Sequence, residues 1–149
     1  MAGIKILVKN RKAFHEYEVG ERYEAGISLQ GTEVKSIRGG KINLTEGWVK
    51  ITEDSAWLQQ VHISPWSHGN IFNHAEQRPR RLLLKKTELR KLQIQVEQKG
   101  AAIIPLKIYL KGPWIKVEIG IGRGKKLHDK RQDSKAKDAQ RDMERALKG

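Results

Sequence analysis

Residues 101–122, AAIIPLKIYLKGPWIKVEIGIG, constrain the fold more than any other stretch. Ile104, Leu106, Ile108 and Leu110 recur at every second position, and Ile115, Val117, Ile119 and Ile121 repeat that spacing after Gly112-Pro113. A period of two sets one face of a strand against a core, and the Gly-Pro pair divides the segment into two strands joined by a turn. Two strands cannot cover a core alone, so partners are sought elsewhere. Tyr23, Ala25, Ile27 and Leu29 alternate in the same way. GWVKITEDSAWLQQVHI reads as a hairpin turning at Glu53-Asp54-Ser55, with Pro65 ending its second strand.

Two helices interrupt the strands. In GTEVKSIRGG, Val34 and Ile37 lie three apart and Gly39-Gly40 stops the turn, leaving Lys35 and Arg38 on a second, solvent-facing side. In KTELRKLQIQVEQKG, Leu89, Leu92 and Val96 form a stripe, with Thr87 as N-cap and Gly100 as the stop. Residues 64–81 show neither period and read as a long loop; residues 1–12 read as a loose basic leader. Small all-β bodies remove exposed edges by closing. The expectation is a mainly β protein: a small closed antiparallel barrel of the oligonucleotide-binding type over residues 13–124, with a two-layer sheet-plus-helix arrangement as the alternative. The protein has about six strands and two or three flanking helices, and a basic tail over 125–149.

Charge narrows the function. Thirty Lys and Arg face 17 Asp and Glu, for a net +13. Such a surplus draws a protein to polyanions, nucleic acid first. The cations are grouped: Lys9, Arg11 and Lys12; Lys35, Arg38 and Lys41; Arg78, Arg80, Arg81, Lys85 and Lys86; Arg123, Lys125 and Lys126. Four groups favour phosphate neutralisation over a merely solvated surface. With no cysteine, disulfides and thiolate metal sites are excluded. His62, His68 and His74 are six apart, which is not a metal-ligand spacing, so no metal or other cofactor is expected. Neither G-x-S-x-G nor H-E-x-x-H occurs, and GRGKK is not a P-loop, so no enzyme is expected. The apolar burst Ile4 to Val8 is too short for a signal segment, and no run approaches a membrane span, which makes the cytoplasm the default compartment. Nine aromatic residues are candidates for base stacking or core packing; for Tyr23 and Trp57, in regular strands, core packing is the expectation.

From residue 123 onward, ten Lys or Arg accompany five Asp or Glu, and Ala136, Ala139, Met143 and Leu147 form a thin helical stripe. Burying it stabilises by about 2–4 kcal/mol. Ordering each residue costs about 1 kcal/mol or more. The tail is therefore expected to be disordered when free and helical only on an anionic surface.

NRKAFHEYEV, YEAGISLQGTEVKSIRGGKINL, AWLQQVHISPW, RRLLLKKTELRKL, PLKIYLK and GRGKKLHDKR stand here in one order. In that order they resemble SsrA-binding proteins, also called small protein B, over residues 10 to about 145. The resemblance implies a monomeric adaptor that catalyses nothing. It implies a partner, the tRNA-like part of transfer-messenger RNA, delivered with elongation factor Tu and GTP to ribosomes stalled on messages without a usable stop codon. It assigns RNA contacts to Asn10, Arg11, Glu24, Lys35, Arg38, Lys41, Asn43, Leu83 and Lys116, with Lys125 and Lys126 beside them. His128, Asp129, Lys130 and Arg131 would reach the decoding centre and the empty message channel, and His15 would approach the same region. Phe14 departs from the family, which usually has a basic residue there, and Trp66 stands where tyrosine is common. The alternatives are a ribosomal or translation-factor RNA-binding protein without this specificity, and a peptidyl-tRNA hydrolase using His15 or His128 as base.

Overall fold

A computed structural model describes residues 3–66 and 73–124. Along the chain run β1 (Ile4–Lys9), α1 (Arg11–Glu16), β2 (Tyr17–Ile27), α2 (Gly31–Arg38), β3 (Ile42–Asn43), β4 (Trp48–Ile51), β5 (Ala56–Gln59), β6 (His62–Ile63), β7 (Arg80–Leu83), α3 (Lys86–Lys99), β8 (Ala102–Lys111) and β9 (Trp114–Gly124). All strand pairings are antiparallel. Six strands form a near-closed ring in the order β8, β4, β5, β7, β2, β9, with β9 returning to β8. The β8–β4 side closes through the single register pair Val49 and Ile103. β3 and β6 form a separate two-stranded sheet.

The strand pair over 102–124 forms as the alternation predicts, and so does the hairpin turn at 53–55, but the hairpin's second strand ends at Gln59 rather than at Pro65: Gln60 has φ 56, and His62 and Ile63 pair with β3 in the separate sheet. Inside the ring, Ile103, Ile108, Val117, Ile119, Ala25, Leu58 and Leu82 make the main core with Ile37 and Leu92 from the helices. Tyr23 belongs to this core.

The predicted uniform alternation of β8 fails at its middle. Pro105 faces Ile119 but Lys107 faces Glu118, so Leu106 is an extra residue. Proline has no N–H for the ladder, and such a position favours a bulge. The bulge sends Ile104 and Leu106 to a second, smaller cluster with Ala13 of α1, while Ile108 stays in the main core. β8 is thus buried on both faces over most of its length.

The leader is not loose over its whole length. Ile4–Lys9 pair with β8, filling the part of its edge that β4 leaves open. α3 begins before the expected cap: Lys85 is the N-cap, its N–H donating to the Glu88 carboxylate at 3.1 Å, and Thr87 lies in the first turn. Gly100 ends the helix with φ 64, the left-handed conformation that favours glycine. The loop expected over 64–81 ends two residues early, since Arg80 opens β7. The tail from residue 125 lies outside the described residues, and with it Lys125, Lys126, His128, Asp129, Lys130 and Arg131.

Gly47 precedes β4 where no side chain fits. A Cβ there would stand 2.6 Å from Val61 Cγ2 and 3.0 Å from both the Leu44 carbonyl oxygen and Pro105 Cγ. Overpacking of this kind costs about 1–3 kcal/mol. Gly47→Ala should therefore lower the urea midpoint by that equivalent with an unchanged denaturant slope; an unchanged midpoint would contradict the packing.

Candidate nucleic-acid interface

The outer face of the ring is built by cross-strand register. Ile6 of β1 faces Tyr109 of β8, which faces Lys116 of β9. Lys116 faces Gly26 of β2, and Gly26 faces Leu83 of β7. Directly paired residues on neighbouring strands share a face. One row therefore crosses five strands and unites residues more than a hundred positions apart. Beside it run Ile4, Lys111 and Trp114 on one side, and Lys107, Glu118 and Glu24 on the other. Leu83 is 56% exposed and Trp114 67%. Gly26 leaves Leu83 uncovered: a Cβ on Gly26 would lie 3.2 Å from the Leu83 Cβ.

Charges on this face alternate. Glu118 is held by Arg22 at 3.2 Å and Lys107 at 3.4 Å. Glu24 accepts a hydrogen bond from the Tyr109 hydroxyl and pairs with Lys111 at 3.3 Å. The Tyr109 bond, with help from Lys111, holds the Glu24 carboxyl below the usual carboxylate range against the opposing effect of burial. Burial, reinforced by Glu24, pushes the Tyr109 phenol up, so it stays a donor at neutral pH. Glu24 is thereby ionised and fixed in orientation. A carboxylate has about four acceptor sites, so it can still accept from a base edge.

Asn10 has a different place from the one expected. It is 3% exposed. Its Nδ2 donates to Pro105 O at 2.9 Å and Leu44 O at 3.3 Å, and its Oδ1 accepts from Ala13 N–H at 3.3 Å. Its backbone N–H donates to Leu106 O at 2.8 Å. Asn10 is thus the N-cap of α1 and the clasp between α1 and the β8 bulge. It presents Arg11, which is exposed, rather than its own amide. His15 lies exposed in the last turn of α1.

α2 carries the second cationic group. Lys35 and Arg38 are exposed as predicted. Gly40 has φ 74, and the Lys41 N–H returns to Ser36 O at 2.9 Å, which closes the helix and sets Lys41 at its exit. Asn43 follows on β3, its Oδ1 accepting the Thr45 N–H at 2.9 Å. Lys35 Nζ lies 5.9 Å from the centre of the Trp66 ring, a cation–π distance.

A buried ion pair holds α2 in place. Glu33 and Arg80 are both fully buried. Arg80 Nε donates to Glu33 Oε2 at 2.6 Å, Nη1 to Val61 O at 2.6 Å and Nη2 to Glu76 O at 3.0 Å. Glu33 Oε1 accepts from Arg78 and from the Gln30 N–H at 2.8 Å. Burial alone would raise the Glu33 carboxyl, but the bonds from Arg78, Gln30 and Arg80 outweigh it and hold it below its ordinary value. Arg80 therefore leaves the basic group read from sequence, and half-buried Arg78 is turned inward to the same carboxylate, leaving Arg81, Lys85 and Lys86 exposed there.

The histidines do not converge. His74 is buried, with Nε2 donating to Ile63 O at 2.9 Å and Nδ1 accepting from the Thr32 hydroxyl at 2.8 Å. His62 pairs with Glu76 at 3.3 Å, and His68 lies outside the described residues. Among the described residues no three His, Asp or Glu side chains are grouped to hold a metal, and no helix is long and apolar enough to cross a membrane.

The structure therefore brings Glu24, Leu83 and Lys116 onto one sheet face, with Arg11 at its α1 end. It gathers Lys35, Arg38, Lys41 and Asn43 on α2 and its exit. Sequence reasoning missed Arg22, Lys107, Lys111 and Glu118. Their signal is the outward half of the strand alternation, Arg22-Glu24-Gly26, Lys107-Tyr109-Lys111 and Trp114-Lys116-Glu118.

Comparison with known proteins adds the following. The sequence model of the family described as SmpB protein matches residues 7–149. An SsrA-binding protein from Nostoc punctiforme is 54% identical over 98% of this chain and 95% of its own length. One from Microcystis aeruginosa is 55% identical over 97% and 95%. One from Carboxydothermus hydrogenoformans is 48% identical over 97% of each. A solved structure described as "tmRNA-SmpB: a journey to the center of the bacterial ribosome" aligns with TM-score 0.69 at 44% identity, covering 84% of this chain and 92% of that one.

Two outcomes follow from the anchors. Asn10→Ala leaves the Pro105 carbonyl and the Ala13 N–H without their Asn10 partner, while Leu44 O keeps the Gly47 N–H, and should cost about 2–6 kcal/mol at about 1–3 kcal/mol per orphaned group, read by urea unfolding. A variant of wild-type stability that lost only RNA affinity would make Asn10 a direct contact instead. The folded-state Glu33 carboxyl titrates below its unfolded value of about 4.3, so its contribution is complete above that pH and is lost as pH falls through the lower folded value. Glu33→Gln should cost about 3–5 kcal/mol at pH 7 and flatten the loss of stability as pH falls below the unfolded carboxylate value. An acid profile parallel to wild type would contradict this.

Proposed function

Because this chain belongs to the SmpB family, we propose that it is an SsrA-binding protein of trans-translation: it holds the tRNA-like part of transfer-messenger RNA on its folded body and accompanies that RNA to stalled ribosomes. The observation that carries this reading is the exposed row through Leu83, Gly26 and Lys116, flanked by an ionised Glu24. Structured RNA is read by shape, by phosphate contacts and by the edges and planes of unpaired bases. Leu83 and Trp114 offer apolar and aromatic surface for base planes. Lys116 and Arg11 supply phosphate contacts, and Glu24 accepts hydrogen bonds from base amino groups. Lys35, Arg38 and Lys41, with Asn43, form a second cationic strip fixed on a helix end. We read the near-closed ring as a barrel of the oligonucleotide-binding type. The function is binding, with no reaction catalysed by the protein.

The residues after 124 complete the proposal. Lys125 and Lys126 continue the cationic surface. His128, Asp129, Lys130 and Arg131 approach the decoding centre with His15, and the rest of the tail enters the vacant message channel. The chain works as a monomer in the cytoplasm, with elongation factor Tu and GTP on the same RNA.

At matched salt the protein should prefer the tRNA-like RNA to ordinary tRNA by about tenfold or more. Arg38→Ala/Lys41→Ala should weaken binding and reduce the slope of log K against log salt by about 1–2. Ending the chain after Lys126 should leave RNA binding intact and abolish tagging on stalled ribosomes. Equal binding of both RNAs would reduce the protein to a general RNA binder, and peptide release without transfer-messenger RNA would favour a hydrolase.

A further inference from the structure

α1 and the strands beneath it enclose a cleft of about 340 Å³, within the roughly 300–1,000 Å³ of small-ligand sites. Its apolar side is Ile6, Phe14 and Leu106; its rim carries Lys9, Arg11 and Lys107. Asn10, Arg22 and Glu118 complete the lining, so four cations face one carboxylate that Arg22 and Lys107 already neutralise.

Phe14 is the unexpected member. It is 43% exposed and belongs to neither hydrophobic cluster, although its neighbour Ala13 anchors one of them. The Arg22 guanidinium lies over its ring at 5.3 Å from the centre. An aromatic plane braced by a cation and open to solvent in a basic cleft has the makings of a stacking platform. Lys107 also lies over Tyr109, at 5.5 Å, so the cleft runs into the outer sheet face without a break.

We infer that this cleft takes one unpaired nucleotide of RNA, with its base stacked on Phe14 and its phosphates at Lys9, Arg11 and Lys107. At position 14 stacking would replace the ionic contact of a basic side chain. The inference rests on the RNA-binding reading above. The nucleotide belongs either to the tRNA-like RNA or to ribosomal RNA, which share this chemistry.

The test measures affinity of the full chain for tRNA-like RNA and, separately, for small ribosomal subunits, across a salt series. The proteins are wild type, Phe14→Ala, Phe14→Leu and Phe14→Trp, with thermal melting as the check on folding. Stacking on one base is worth about 1–3 kcal/mol, so Phe14→Ala should weaken binding to one of the two about 5- to 150-fold. Its salt slope should match wild type. Phe14→Leu should behave like the alanine variant, and Phe14→Trp like wild type. The arm that loses affinity identifies the source of the nucleotide. Undiminished affinity of Phe14→Ala in both arms would overturn the inference alone, as would full affinity of Phe14→Leu. A wild-type protein that binds neither RNA would overturn both readings.

Discussion

The orientation of α1 depends on Asn10 clasping the bulge in β8. The bulge exists because Pro105 cannot donate to the sheet and Leu106 has no register partner. The carbonyls of Pro105 and Leu106 stand at this bulge. Asn10 takes both, one with its side chain and one with its backbone, and turns the chain from β1 into α1. The same irregularity sends Leu106 outward under Ala13, giving α1 a small core of its own. An amide and a proline thereby fix where Arg11 and Phe14 stand relative to the sheet.

The second anchor follows the same logic with charge in place of an amide. Glu33 and Arg80 are buried, and each is surrounded by further partners. A buried ion pair is weak evidence for net stability, because desolvation offsets much of the attraction. Its effect here is geometric. It locks the inner side of α2 so that Lys35 and Arg38 face outward. On the sheet, the alternation of Arg22, Glu118, Lys107, Glu24 and Lys111 holds long side chains in place. Preorganisation of this kind reduces the entropy lost on binding.

The period of two made most strands legible, and the glycines at 39, 40 and 100 marked where two helices stop. The β8 bulge was signalled only by Pro105, and a strict alternation hid it. β1 was missed because its residues look like a basic leader: Ile4 and Ile6 remain 60% and 42% exposed, and strand pairing rather than burial orders them. Arg80 was grouped with surface cations because a buried arginine cannot be told from an exposed one until its acid partner is located, 47 positions away. The α2 cations were readable from helical spacing. The sheet face was not, since it joins Ile6, Gly26, Leu83, Tyr109 and Lys116 across five strands. Family resemblance supplied Glu24, Leu83 and Lys116 there. It also assigned an RNA contact to Asn10, whose side chain is occupied inside the fold.

Hydroxyl-radical footprinting of side chains, with and without the tRNA-like RNA, tests the central claim most directly, because it reports exposure residue by residue. Exposed apolar side chains also lie off the face described: Trp48 on β4, at 42% exposure, and Ile94 on α3, at 40%. The account predicts that RNA shields Leu83 and Trp114 and leaves Trp48 and Ile94 as reactive as before. Protection of Trp48 and Ile94 with Leu83 and Trp114 unchanged would place the RNA away from that face and contradict it.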